Sequence, residues 1–307
     1  MAKTRINIKL ISTLLLVLTA LIWGIAFVAQ SVGMDHVGPW TFVFFRYLLS
    51  ALVLIPVSFV FSKVQKKNNP ESLSRAKPVD YIKGGLCCGF FLGTASIAQQ
   101  AGIQYTTAGK AGFITALYVI LVPLLGLFFH KKPEKKIWIC VVFGLAGLYL
   151  ISVKEGFRIE GGDALVILCA FLFSGQILCI DHFSAKLDNP ALLSNLQFLM
   201  SAIIGCIGML LFEKIVWADV LACAVPIIYA GVFSGAMGYT LQVIAQKHTD
   251  PNVASLVMSL ESVFSALAGW VILGQTLSGR ELAGCALVLL AVILSQISFT
   301  KKTAGRS

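Results

Sequence analysis

Long apolar runs, separated by short joints of charged residues, Gly, Pro and Asn, fill almost the whole chain. A helix needs about 17 to 25 apolar residues to cross some 30 Å of hydrocarbon. Runs of about that length lie at 10–32, 38–62, 81–103, 107–129, 137–153, 162–182, 190–212, 220–246, 252–274 and 280–299, spans one to ten below. The pattern therefore predicts an all-α membrane protein of ten transmembrane helices, with span five the shortest. Most joints have only a few residues, which leaves no room for a soluble domain between helices. The longest, Lys63 to Asp80, alone has the composition of a solvated loop. Span one exceeds the apolar core of a signal peptide, has no clear small-residue cleavage site and leads straight into the bundle, so it is expected to be retained.

Composition agrees with this reading. The chain is 58% hydrophobic and 12% charged, against about 25% charged residues in a soluble domain, and its mean hydropathy is +0.87. In a soluble chain a net charge of +10 would suggest nucleic acid. Here the Lys and Arg residues sit in the joints, so no nucleic-acid partner is expected. Lys3, Arg5, Lys9, Lys63, Lys66, Lys67, Arg75, Lys77, Lys83, Lys131, Lys132, Lys135, Lys136, Lys186, Lys247, Lys301, Lys302 and Arg306 fall on one side. The other side has Lys110, Lys154, Arg158, Lys214 and Arg280. Positive charge stays inside, which puts both termini in the cytoplasm; the expected location is a bacterial plasma membrane. The eight cysteines all lie in apolar spans without metal spacing, and read as small packing residues. Neither a metal nor a cofactor is expected.

A repeat runs through the pattern. Gly89, Phe91, Gly93, Gln100, Gln104 and Thr107 return 142 positions later as Gly231, Phe233, Gly235, Gln242, Gln246 and Thr249. Pro39 and Pro190 open spans two and seven, and Arg46 then falls opposite Gln197. In spans four and nine the shift is 143, matching Ala111 with Ala254, Leu117 with Leu260 and Gly126 with Gly269. Five spans separate the copies, and an odd number inverts the second in the membrane, an arrangement typical of transporters. The expected units are a first five-helix repeat at 10–153, an inverted one at 162–299, and a cytoplasmic tail at 300–307.

Trp23-Gly24 in span one, Phe45-Arg46-Tyr47 in span two, Gln104-Tyr105-Thr106-Thr107-Ala108 before span four, and Gly269-Trp270 with Leu273-Gly274 in span nine resemble the EamA family of the drug/metabolite transporter superfamily. The resemblance covers almost the whole chain. It implies a ten-helix inverted-repeat carrier with a central cavity for a small metabolite, often an amino acid, and frequently export. The chain departs from the family where span nine has Glu261-Ser262 in place of Glu-Pro and Gly274-Gln275 in place of Gly-Glu. Pro123 could then bend span four instead.

Glu261 is the acidic residue deepest within an apolar run, and an unpaired carboxylate there costs at least a few kcal/mol. It either couples protons or binds an ammonium group, or it is a hydrogen-bonded structural residue. Arg46 is the basic residue well inside a span. It either binds a substrate carboxylate bidentately or makes a structural ion pair or backbone contact. Both residues lie near the midplane by their distance from the span ends. Trp23, Tyr118, Gln176 and Tyr239 put polar edges within spans and are the next cavity candidates, with packing against glycines such as Gly238 as the alternative. Gln100 with Gln104, and Gln242 with Gln246, lie four apart on one helix face, as equivalent gates at opposite ends or as ordinary interfacial amides. Asp181 beside His182 suggests a proton relay or a solvated loop start, and Lys110 a snorkelling residue or an anion funnel.

The four histidines are isolated at span ends, and no aspartate cluster or Ser/His dyad is present. An integral membrane enzyme or receptor is therefore the minor alternative to transport. The expected function is a secondary transporter of a small polar or amphipathic metabolite, an amino acid or related compound, exported by alternating access with protons as an optional partner. A facilitative uptake carrier for a vitamin or nucleobase-like metabolite is the other transport reading. The partners are the substrate, the lipid bilayer and, as an option, a second copy in a homodimer.

Overall fold

The computed structural model describes residues 2–68, 77–105, 108–152, 161–273 and 277–297. The tail 300–307, Thr107, Lys154, Arg158, Gly274 and Gln275 lie outside them. Every element among the described residues is helical. Spans one, two and three are the helices Ala2–Met34, Pro39–Asn68 and Pro78–Ile103; spans six, seven and ten are Gly161–Ser184, Pro190–Phe212 and Gly279–Gln296. Nine stretches of the described residues are long and apolar enough to cross a membrane. The helix at span five, Lys135–Ser152, has 18 residues, opens on two lysines and is not one of the nine.

The starts of the helices follow from local chemistry. Proline stands in the first turn of spans two, three, seven and nine, where its missing N–H costs nothing. The Asn189 side chain accepts from Leu192 N, and that of Asp250 from Asn252 N, capping spans seven and nine. Ser278 and Glu281 form a reciprocal capping box on span ten. The N-terminus of span two is capped from a distance. Glu213, just past span seven, accepts from Trp40 N at 3.0 Å and from Thr41 N at 2.8 Å.

Three spans are interrupted. Span four divides into Ala108–Thr115 and Tyr118–Phe128, and span nine into Pro251–Met258 and Leu260–Leu273. The two breaks, at Ala116–Leu117 and at Ser259, fall at positions that the 143-residue shift makes equivalent. Pro123 lies inside the second half of span four, beyond the break, so it does not cause the interruption. At Ser259 the hydroxyl bonds the Leu256 carbonyl at 2.7 Å, three residues back, competing with the helical ladder. Span eight, expected as one run over 220–246, comprises short helices at Trp217–Ala222 and Ala224–Ile228, a π-helical stretch Tyr229–Tyr239 and a last helix Thr240–Gln246.

Packing runs mainly between the two halves of the chain. Span two lies along span seven, span three along six and seven, and the Lys135–Ser152 helix along span ten. Span one packs against eight and nine, span six against four, and span two also meets eight. Exchanging each span for its counterpart five places away turns this set of contacts into itself. Individual bonds repeat too: Ser50 Oγ donates to Gly231 O at 2.7 Å and to Arg46 O, while Ser201 Oγ donates to Gly89 O at 3.0 Å and to Gln197 O. A Cβ added at Gly147 would meet Gly284 O at 2.6 Å, and one at Gly284 would meet Gly147 O at the same distance. Only glycine permits so close an approach of two helices.

Candidate functional site

The half-helices of spans four and nine meet a central cavity whose lining also comes from spans one, two, three, six and eight. Trp23, Arg46, Tyr118, Gln176, Tyr239 and Glu261 all line it, together with Gln242. Six side chains chosen from separate spans thus lie in one place. Sequence reasoning missed Gln30, Gln99, Thr115 and Ser234, and the apolar walls Phe27, Phe173, Ile177 and Met258. The repeat pointed to Gln100 instead of Gln99. One residue turns a helix by about 100°, which is why only Gln99 of the two reaches the cavity and bonds Thr115 Oγ1 at 3.1 Å.

Arg46 is 3% exposed, yet it does not pair with Glu261 within 4 Å. Its Nη1 donates to Gln30 Oε1 at 3.1 Å and its Nη2 to Ser234 Oγ at 3.3 Å. The Nε has no partner among the described residues. The Tyr47 ring lies 4.8 Å from the guanidinium carbon, a cation–π distance. Neither expectation of a structural ion pair nor that of backbone carbonyl partners describes this arrangement. Arg46 is a buried cation held by neutral side chains, with donor capacity left over.

Glu261 is also buried, and it accepts a hydrogen bond at Oε1 from Tyr118 Oη at 2.8 Å. The two are counterparts under the 143-residue shift, and each lies in the first turn of the second half of a broken span. The Trp23 ring lies 4.6 Å from that of Tyr239, tilted by 49°, and its Nε1 donates to Ser234 O at 3.1 Å. It also packs on Gly238, so the cavity and packing roles coexist. Ser234 lies in the π-helical stretch, whose wider turns leave carbonyls open to side chains from spans one and two.

The four glutamines occupy different settings. Gln242 Nε2 donates to Gln176 Oε1 at 3.4 Å, and Gln176 Nε2 to Gln197 Oε1 at 3.5 Å, forming an amide chain beside the cavity. Gln246 Nε2 reaches Ile177 O at 3.2 Å. Gln100 is buried with no hydrogen-bond partner among the described residues at either amide atom, and Gln104 is exposed after span three.

A small apolar cluster packs near each end of the bundle. At the lysine-rich end Tyr81, Cys88, Ile180, Leu187, Leu193 and Val243 pack together, and at the other end Val37, Phe42, Cys223, Ile227 and Ala230 do so. Tyr81 and Cys223, Cys88 and Ala230, and Leu193 and Phe42 are counterparts in the two halves. Lys247 pairs with Asp188 at 2.8 Å beside the first cluster. Lys110 neither snorkels nor forms an open funnel, because it meets the fully buried Asp163 at 2.6 Å. Asp181 and His182 take separate partners, Lys131 and Lys186, since consecutive helical residues face apart. All eight cysteines are free thiols. Among the described residues no group of three or more His, Cys, Asp or Glu is placed to hold a metal.

Apolar spans and half-helices broken beside a polar cavity define a membrane transporter. The chain belongs to the EamA-like transporter family, whose model matches it twice, at residues 10–153 and 160–297. An uncharacterized transporter of Archaeoglobus fulgidus is 31% identical, with 93% of this chain and 86% of that one covered. A probable amino-acid metabolite efflux pump of Salmonella typhimurium is 23% identical over 95% of this chain and 97% of its own. A crystal structure at 18% identity shares the fold with a TM-score of 0.72, covering 93% of this chain and 96% of the other.

Proposed function

We propose that this chain is a secondary transporter that carries a small polar or amphipathic metabolite, an amino acid or a related compound, out of the cell by alternating access. The observation that carries the substrate class is the pairing of opposites in one cavity. Among the described residues, Arg46 keeps an unpartnered Nε, while Glu261 has only a phenol as its hydrogen-bond partner. An α-amino acid brings a carboxylate for the first and an ammonium for the second. Trp23, Tyr239, Phe27 and Phe173 supply walls for its side chain. The name of the Salmonella relative favours the same class.

Two inverted five-helix repeats, with both termini in the cytoplasm, provide the alternation. The twofold family match, the exchange of inter-span contacts and the equivalent end clusters support this reading. Rocking of the repeats opens one cluster while the other stays shut, and Glu261 exchanges its proton as the cavity changes sides. The test compares metabolites inside and outside cells with and without the protein, then repeats the hit in proteoliposomes under an imposed pH gradient. Export of an amino acid accelerated by the gradient is expected. Equal distributions with and without the protein would overturn the proposal.

A further inference from the structure

Cys87 in span three and Cys179 in span six point at each other with their sulfur atoms 3.1 Å apart. Both are free thiols and only partly buried. A disulfide needs the sulfurs at about 2.05 Å, an approach of roughly 1 Å. Each is next in sequence to a member of the lysine-rich-end cluster: Cys88 follows Cys87, and Ile180 follows Cys179. Spans three and six pack along much of their length, which already holds the backbones together.

We propose that Cys87 and Cys179 form a redox-sensitive pair, closed by a peroxide into a disulfide that staples span three to span six at the level of this apolar cluster. One thiolate attacks a peroxide oxygen, the O–O bond breaks, and a sulfenic acid and one water result after proton uptake. The second thiol attacks the sulfenic sulfur, the S–S bond forms and a second water leaves. In sum, two thiols and one hydrogen peroxide give one disulfide and two waters, with sulfur oxidised and oxygen reduced. A dithiol reductant restores the thiols by exchange.

The staple acts at one end only. The counterpart of Cys87 in the second half is Tyr229, whose hydroxyl donates to Ile22 O of span one at 3.1 Å. That end therefore keeps its freedom to open while the lysine-rich end is fixed. The arrest of transport rests on the alternating-access reading above, whereas the disulfide itself does not.

The experiment treats full-length protein in lipid vesicles with hydrogen peroxide, blocks remaining thiols with N-ethylmaleimide, and analyses peptides by mass spectrometry with hydrogen exchange of the joint Lys186–Asn189 in parallel. A Cys87–Cys179 peptide should dominate the cross-links, and exchange of the joint should slow about tenfold as local opening is suppressed. Dithiothreitol should reverse both effects, and Cys87→Ser and Cys179→Ser, with thermal transitions like the parent, should lack them. Absence of the linked peptide, or a linked peptide with unchanged exchange, would overturn the inference. Neither readout uses a substrate, so a wrong substrate class leaves this result intact.

Discussion

Arg46 spends its two Nη atoms on Gln30 and Ser234, so a ligand would meet the planar fork from its Nε side. Lysine keeps the charge and loses that geometry. Charge-assisted hydrogen bonds contribute about 1.5–3 kcal/mol, so Arg46→Lys should raise the half-saturating substrate concentration by at least about tenfold. The maximal rate should change less. Uptake or efflux kinetics with unaltered affinity would remove Arg46 from substrate binding. Glu261 calls for a different substitution. Glutamine retains an oxygen that can accept from Tyr118, so Glu261→Gln removes the titrating proton while leaving the bond that joins spans four and nine. Its transport should no longer respond to an imposed pH gradient, measured in proteoliposomes with the parent beside it. A parental pH response in the variant would show that Glu261 is structural.

The π-helical stretch depends on glycine where it meets span two. A Cβ at Gly235 would lie 2.0 Å from Ser50 Oγ, whose hydroxyl is held by Arg46 O and Gly231 O. Gly235→Ala should therefore lower stability by about 1–3 kcal/mol, the usual cost of overpacking, read as an earlier thermal transition in detergent. Gly161→Ala, where the added carbon meets nothing within 4 Å, is the control and should stay near the parent. The same elements show what sequence can carry. Span positions were legible because hydrocarbon thickness fixes helix length, and Glu261 and Arg46 were legible because a buried charge stands out in an apolar run. The breaks at Ala116–Leu117 and Ser259 were not, since no proline or glycine marks either and a serine that bonds back to the helix, as Ser259 does, is common inside apolar helices. Lys110 and Asp163 looked like separate span-end charges, because only the fold brings span four to the start of span six. Gln30 and Ser234 were missed because nothing local separates a cavity-facing polar residue from an interfacial one.

The two end clusters connect the whole molecule to its repeat. Leu193 and Phe42 are both fully buried, occupy equivalent places and lie at opposite ends of the bundle. If the two halves rock about the cavity, opening one cluster must keep the other closed, since a carrier with both open would leak. Single cysteines at 193 and at 42, in a background whose eight native cysteines are replaced by serine or alanine, test this with a membrane-impermeant thiol reagent applied from each side. Adding substrate should raise labelling at one position and lower it at the other, while uptake assays confirm that both variants still transport. Labelling that rises or falls at both positions together would rule out alternating access through these clusters. The amide chain Gln242–Gln176–Gln197 then gains a role that its position beside the cavity suggests. Gln176 and Gln242 line the cavity and Gln197 lies about one helical turn from Leu193, so Gln197 Nε2 and Gln242 Oε1, unpartnered among the described residues, would exchange hydrogen bonds with water or a ligand if that end opens.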